Sequence, residues 1–219
     1  FDRFATARLS FKMAKAQVFA TRLPLLGFIV TPDGVEADPD KVESIRNFGE
    51  PEDLNQLRTF LGCVNWLRRY FPKIAEHAEP LNEMTKKNVD FKATWGEKQR
   101  NAFEYLRTYL TGDEVMAHPN MDLDDPDFKP FHLYTDSSDV GISAVLLQEQ
   151  KGQLRVIAYY SRALIKAQRK YKICEKEMLA IVMGTRHFRE ILVGTPAVVY
   201  TDNSVSFSLL RKDFASSRI

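Results

Sequence analysis

Two extended apolar runs in this chain close on the same tripeptide. His132 to Asp136 and Val198 to Asp202 both end in Tyr-Thr-Asp. Between them lie two more strand-like runs, Ile142 to Gln148 and Leu154 to Ser161, joined at a Lys151-Gly152 turn, and then a helical pattern from about Tyr171 to Val193. Apolar runs bounded by turn residues predict strands, and a sustained 3.6-residue period predicts a helix. The order therefore reads as three strands joined by tight turns, a helix, a fourth strand (Val198 to Asp202), and a new helix starting at Asn203. That is an α/β unit with a mixed sheet.

The crossover helix carries an acid where a core residue belongs. At 100° per residue, Ile173, Glu177, Ile181, Gly184 and Phe188 fall on one stripe. A carboxylate in that row is costly unless it is paired, neutralised or bound to a cation. If the strand at Val198 lies beside the strand at Phe131, Asp136, Glu177 and Asp202 can converge. Three carboxylates without thiol or imidazole partners are hard oxygen ligands suited to Mg²⁺ or Mn²⁺. Two such ions, roughly 3.5 to 4 Å apart, suit phosphodiester hydrolysis by activating a water and stabilising the leaving oxygen. Plainer roles exist for each acid: Asp202 as a helix cap, Asp136 as a turn residue with Ser137, Ser138 and Asp139, and Glu177 tilted to solvent beside Glu175.

The first half of the chain has a different texture. Phe1 to Phe19 reads as a mixed amphipathic helix running into a short strand. Leu25 to Val30, a Pro32-Asp33-Gly34 turn and a resumed run at Val35 predict a hairpin. Asp38 or Asp40 caps a helix through about Phe48, with Pro39 in its first turn, and Pro51 separates it from the next. That next helix, about Glu52 to Tyr70, has Leu54, Leu57, Phe60, Leu61, Val64 and Leu67 as its core stripe. A second face holds Arg58, Gly62 and Trp66, flanked by Asn65 and Arg69. The net charge is only +2, yet Leu54 to Ala75 contains Arg58, Arg68, Arg69 and Lys73 and no acid, so the positive field is local. A shorter helix after Pro72, ending near Lys87, and another from about Gly96 to Leu110 follow, the latter with Ala102, Phe103, Leu106 and Leu110 facing inward. The Asp- and Pro-rich stretch Thr111 to Pro130 reads as a linker, with a domain boundary near residue 128. Cys63 and Cys174 show no metal-ligand or disulfide spacing, so a reducing compartment is expected. No run approaches the ~20 apolar residues of a membrane span, so a soluble protein without membrane contact is expected. The chain opens at Phe1 without methionine and reads as part of something longer.

The runs LYTDSSDVGISAVLLQ, RVIAYYSRALIKAQRKY and CEKEMLAIVMGTRHFREILVGTPAVVYTDN resemble the ribonuclease H domain of Ty3/gypsy-type LTR retrotransposon polyproteins. LLGFIVTPDGVEADPDKVESIRNF and LNQLRTFLGCVNWLRRYFPKIAEHAEPLNEMTKK resemble the palm end and thumb of the same family's reverse transcriptase. The resemblance implies an α+β protein overall. Its parts are a palm end with a primer-grip-like hairpin (1–36), a helical thumb-like subdomain (37–88), a connecting helix and linker (89–128), and a ribonuclease H-like mixed sheet with helices, truncated at its C-terminus (129–219). It implies cleavage of the RNA strand of RNA/DNA hybrids, with two Mg²⁺ or Mn²⁺ ions held by Asp136, Glu177 and Asp202. It also implies nucleic-acid contacts at Leu26, Gly27, Arg58, Gly62, Asn65, Trp66 and Arg69. The implied partners are the hybrid duplex and the rest of a Pol polyprotein, in the cytoplasm within a virus-like particle. The polymerase's paired-aspartate strand is absent, as is the family's fourth carboxylate, for which Asp213 lies too close to Asp202. Ser143 stands where glycine is usual and Asn203 where histidine is common. A catalytically inactive hybrid-binding fragment and a host-adopted interaction module are the alternatives.

Overall fold

Three short strands open a sheet that is closed from far along the chain. In this computed structural model, which describes residues 19–109 and 115–202 with Arg3, Thr6, Ala7, Arg8 and Gln17 ahead of them, β1 (Leu23–Leu25), β2 (Phe28–Thr31) and β3 (Gly34–Ala37) form an antiparallel meander. Leu25 to Val30 is thus not one strand. Leu26 and Gly27 both have positive φ, 51° and 79°, which is the geometry of a two-residue hairpin turn. The fourth strand, β4 (Val115–Met116), pairs with β3 and lies inside the stretch expected to be a linker. Gly34 makes the pairing possible: with φ +152°, a Cβ there would lie 2.2 Å from the Met116 carbonyl oxygen.

Helices pack against this sheet. Asp38 caps α1 (Pro39–Arg46), its carboxylate accepting from the Asp40 N–H at 3.1 Å. Asp53 caps α2 (Leu54–Trp66) by accepting from Gln56 N–H at 2.8 Å. The expected core stripe is buried at Leu57, Phe60, Leu61, Val64 and Leu67. The helix stops earlier than expected, giving way to a 3₁₀ turn at Arg68–Tyr70. The helix expected after Pro72 is split into α3 (Ile74–His77) and α4 (Glu79–Met84). A short α5 (Phe91–Thr94) precedes α6 (Glu97–Tyr109), which buries Phe103 and Leu106. Leu110, the Phe1 to Phe19 segment apart from the residues named above, and the helix expected from Asn203 lie outside the described residues.

The second sheet has the expected topology, with order β7-β6-β5-β8. Here β5 (Phe131–Ser137), β6 (Gly141–Gln150) and β7 (Gln153–Ala163) are antiparallel, and β8 (Ala197–Tyr200) lies parallel to β5. Their crossover is α7 (Ile173–His187) followed by α8 (Arg189–Leu192), so the single helix expected to Val193 breaks at Phe188. Glu177, Ile181, Gly184 and Phe188 of the projected stripe are buried. Ile173 is 60% exposed because it sits at the very start of the helix, beyond the sheet.

Strand β7 joins the two halves. Val156 and Tyr159 pack on the core of the helices, while Ile157 and Ala158 belong to the core under α7. A bulge opposite Leu146 and Leu147 brings two successive residues to the same side and so serves both cores. The chain after α2 is also fastened to β7: Arg68 Nη2 donates to the Ser161 carbonyl at 2.6 Å, and the Ala75 N–H donates to Ser161 Oγ at 3.1 Å.

Gly34→Ala is expected to cost about 2 kcal/mol or more through strain and the clash with Met116. A urea denaturation curve unchanged by this substitution would refute the packing of β4 on β3.

Candidate active site

The parallel pairing of β5 and β8 sets Tyr134 opposite Tyr200, so the two Tyr-Thr-Asp tripeptides run in register. The tyrosine rings stack at 4.3 Å with 8° between planes. Thr135 Oγ1 donates to the Tyr200 carbonyl at 3.3 Å. Asp136 and Asp202 therefore leave adjacent strands at the same level, and both line a cleft of about 480 Å³ with Pro72, Lys73, Tyr134 and Tyr159.

Glu177 approaches from the other side of the sheet. Strand alternation sends Phe131, Leu133 and Thr135 toward α7 and leaves Tyr134 and Asp136 on the opposite face. Ser137, next along, meets the helix instead, and its hydroxyl donates to Glu177 Oε1 at 2.5 Å. Glu177 is 2% exposed, and among the described residues its Oε2 has no hydrogen-bond partner. Burial pushes the Glu177 carboxyl above the ordinary carboxylate range; the charges of Asp202 and Asp136 push the same way, against the Ser137 hydroxyl.

Asp136 already has a cation. The Lys73 ammonium pairs with Asp136 Oδ2, and the hydrogen bond to Asp136 raises Lys73 above its ordinary range against partial burial. The expected convergence is therefore incomplete: the three acids surround one end of the sheet, but no three His, Cys, Asp or Glu side chains among the described residues come close enough to hold a metal ion. The reason is geometric, since Asp136 and Glu177 start from opposite faces. The donor set nonetheless suits a hard divalent cation. It is all carboxylate, one buried oxygen lacks a partner among the described residues, and a lysine ammonium fills a cation's place on Asp136.

A second cleft lies between the hairpin tip and the helices, lined by Leu26, Gly27, Lys41, Thr59, Gly62 and Trp66 among others. Trp66 is 52% exposed and stacks on Phe28. A Cβ on Gly27 would lie 2.8 Å from the Trp66 indole nitrogen, so glycine lets the hairpin tip reach the indole. Leu26, Gly27, Gly62 and Trp66 are thus brought together. Arg58 and Asn65 are exposed on α2 without lining this cleft. Arg69 is half-buried, its guanidinium over the Phe28 ring at 5.9 Å. Sequence reasoning misses Lys41, Ser137 and Lys73 as site residues. Lys73 stands out in the sequence only as one charge of a positive run.

Residues 95–199 match the RNase H-like domain found in reverse transcriptase. The likeness to that family is carried by this segment. It is 35% identical to the Retrovirus-related Pol polyprotein from transposon opus of Drosophila melanogaster, over 95% of this chain and 21% of that protein. It is 31% identical to the Transposon Tf2-3 polyprotein of Schizosaccharomyces pombe, over 92% of this chain and 15% of that protein. The chain therefore spans about a fifth or less of the curated relatives it matches. Two foamy viral protease-reverse transcriptase structures share the fold at 20% identity. One is the dRH form in complex with double-stranded DNA (TM-score 0.72, covering 90% of this chain and 34% of that one), the other a complex with an RNA/DNA hybrid (TM-score 0.69, 94% and 28%). No helix among the described residues is long and apolar enough to cross a membrane.

In an RNase H-like domain assembled this way, the buried charge of Glu177 works against folding. In chelator-treated buffer at neutral pH, Glu177→Gln is expected to stabilise the protein by about 1 kcal/mol, because it removes the charge and keeps an acceptor for Ser137. The folded-state pKa lies above the ordinary value of 4.5, so the wild-type penalty is absent below that value and grows as pH rises through the raised one. The gap in urea midpoints should close in acid; a gap that widens in acid would contradict the burial of this carboxylate.

Proposed function

We propose that this chain is a segment of a Ty3/gypsy-type retrotransposon Pol polyprotein that holds an RNA/DNA hybrid and hydrolyses its RNA strand with divalent metal. The observation that carries the reading is the Tyr134–Tyr200 register, which brings Asp136 and Asp202 side by side at the mouth of one cleft with Glu177 behind them. Asp136, Glu177 and Asp202 would hold two Mg²⁺ or Mn²⁺ ions, whose chemistry is to generate the attacking hydroxide and neutralise charge on the leaving oxygen. The chain's own residues prepare for this. Ser137 fixes one oxygen of Glu177 and leaves the other free of protein partners among the described residues. Synthesis of DNA on RNA belongs, on this reading, to the parent polyprotein, because the Tyr-x-Asp-Asp pattern of a polymerase does not occur in this sequence.

The cleft at Trp66 supports duplex binding. Gly62 is exposed, and a Cβ added there would meet nothing within 4 Å, so a sugar-phosphate strand can approach the α2 backbone closely. Trp66 offers an apolar plate beside it, and Lys41, Arg58 and Asn65 supply polar contacts along the strand. A second reading, a hybrid-binding segment without catalysis, is favoured by the incomplete convergence of the three carboxylates.

Cleavage of an end-labelled RNA/DNA hybrid in Mg²⁺ decides between them. Asp136→Asn is expected to reduce cleavage to background while hybrid affinity stays within about twofold, because the duplex contacts lie elsewhere. A folded wild-type chain that binds hybrid without cutting it would establish the second reading. Trp66→Ala is expected to weaken hybrid binding about tenfold and single-strand binding less; equal losses on both would assign the indole to packing.

A further inference from the structure

The site draws a residue from the helical half of the chain, ahead of the matched RNase H-like segment. Lys73 lies at the foot of α3 with φ 50° and ψ 29°, a left-handed conformation that a lysine adopts at some cost. Its turn is held on the second sheet at both ends, by Arg68 on the Ser161 carbonyl and by the Ala75 N–H on the Ser161 hydroxyl. Ala75 and Glu76 lie against Gly141 of β6. The backbone thus presents the ammonium from a fixed platform, and it meets the one described carboxylate of β5 that shares a cleft with Asp202.

We propose that Lys73 is the resident counter-ion of Asp136 and lowers the divalent-cation affinity of the site, so that a metal ion takes Asp136 against the charge of a lysine supplied by the helical half of the chain. The inference rests on the metal reading of the three carboxylates. An ammonium held on Asp136 Oδ2 and a divalent cation on the same carboxylate are like charges a few ångströms apart, and each weakens the other's hold. The ammonium lines the same cleft whether or not it keeps its contact with Asp136, so its charge repels an incoming cation in either case. Both side chains are about half exposed, 47% for Lys73 and 42% for Asp136, so solvent screens the pair and its effect on affinity is moderate rather than absolute. The helical half thereby acts on the chemistry of the sheet, in addition to any contact it makes with duplex.

The test is Mn²⁺ binding to the full chain without nucleic acid, followed by electron paramagnetic resonance of free Mn²⁺, which requires no turnover. Lys73→Met is expected to tighten binding about three- to tenfold, while Lys73→Arg, which keeps the charge, stays near wild type. Asp136→Asn should remove the Lys73-dependent binding, and the double variant Lys73→Met/Asp136→Asn should show no tightening. Equal affinity in wild type and Lys73→Met, with uptake still abolished by Asp136→Asn, would overturn the role of Lys73 and leave the metal site standing. Tightening that persists in the double variant would also overturn it, because the lysine would then act elsewhere. No Mn²⁺ uptake by wild type, Lys73→Met or Lys73→Arg would remove the metal reading together with this proposal. Matching circular dichroism melts of Lys73→Met and wild type exclude misfolding as the cause of any difference.

Discussion

A single strand with a hydrophobic core on each side holds this molecule together. Val156 and Tyr159 of β7 close the core of the helices, Ile157 and Ala158 close the core under α7, and one β-bulge reconciles the two demands. Had the halves met only through the Asp- and Pro-rich connection, independent motion would be the default. With β7 as a shared wall, the orientation of the helices on the second sheet is fixed by buried apolar area. Everything that depends on that orientation follows, including the reach of a lysine from one half to a carboxylate of the other.

Much of this was legible in the residues, and the failures have physical causes. The two Tyr-Thr-Asp runs, the meander between them and the crossover helix are periodic, and periodicity survives projection onto one dimension. The Asp38 cap was legible because its hydrogen-bond partner lies two residues away. The Leu26-Gly27 turn was hidden inside an apolar run, because Leu26 adopts a left-handed conformation that leucine rarely takes. Strand β4 is two residues long, too short to carry a period. The projected stripe gave the burial of Glu177 but no warning that Asp136 leaves the sheet on the opposite face. The Lys73–Asp136 pair joins residues distant in sequence through docking of whole elements, and no local pattern encodes it.

The three carboxylates lie in unlike surroundings. Asp136 and Asp202 sit at an open cleft where water screens them, whereas Glu177 is buried with one oxygen satisfied by Ser137 and the other by nothing among the described residues. A fold selected for stability alone would place an apolar residue at that point of α7, between Lys176 and Met178 and one turn before Ile181. Keeping a carboxylate there opposes the packing that surrounds it, which is the pattern expected where chemistry and stability compete.

The pairing of β3 with β4 also constrains how the chain acquires its structure. Glu36 and Val115 are roughly 80 residues apart, and closing a loop of that length costs entropy that is recovered only once the contacts on both sides are made. During synthesis β3 must wait, supported by the Tyr70 hydroxyl on the Val35 carbonyl at 3.0 Å, while α1 through α6 emerge behind it. Until β4 arrives, the edge of β3 is open to other chains, and this interval is when a nascent molecule is most exposed to mispairing. Glycine at position 34 leaves that edge clear for the Met116 carbonyl, so that a strand of only two residues can dock there and complete the sheet.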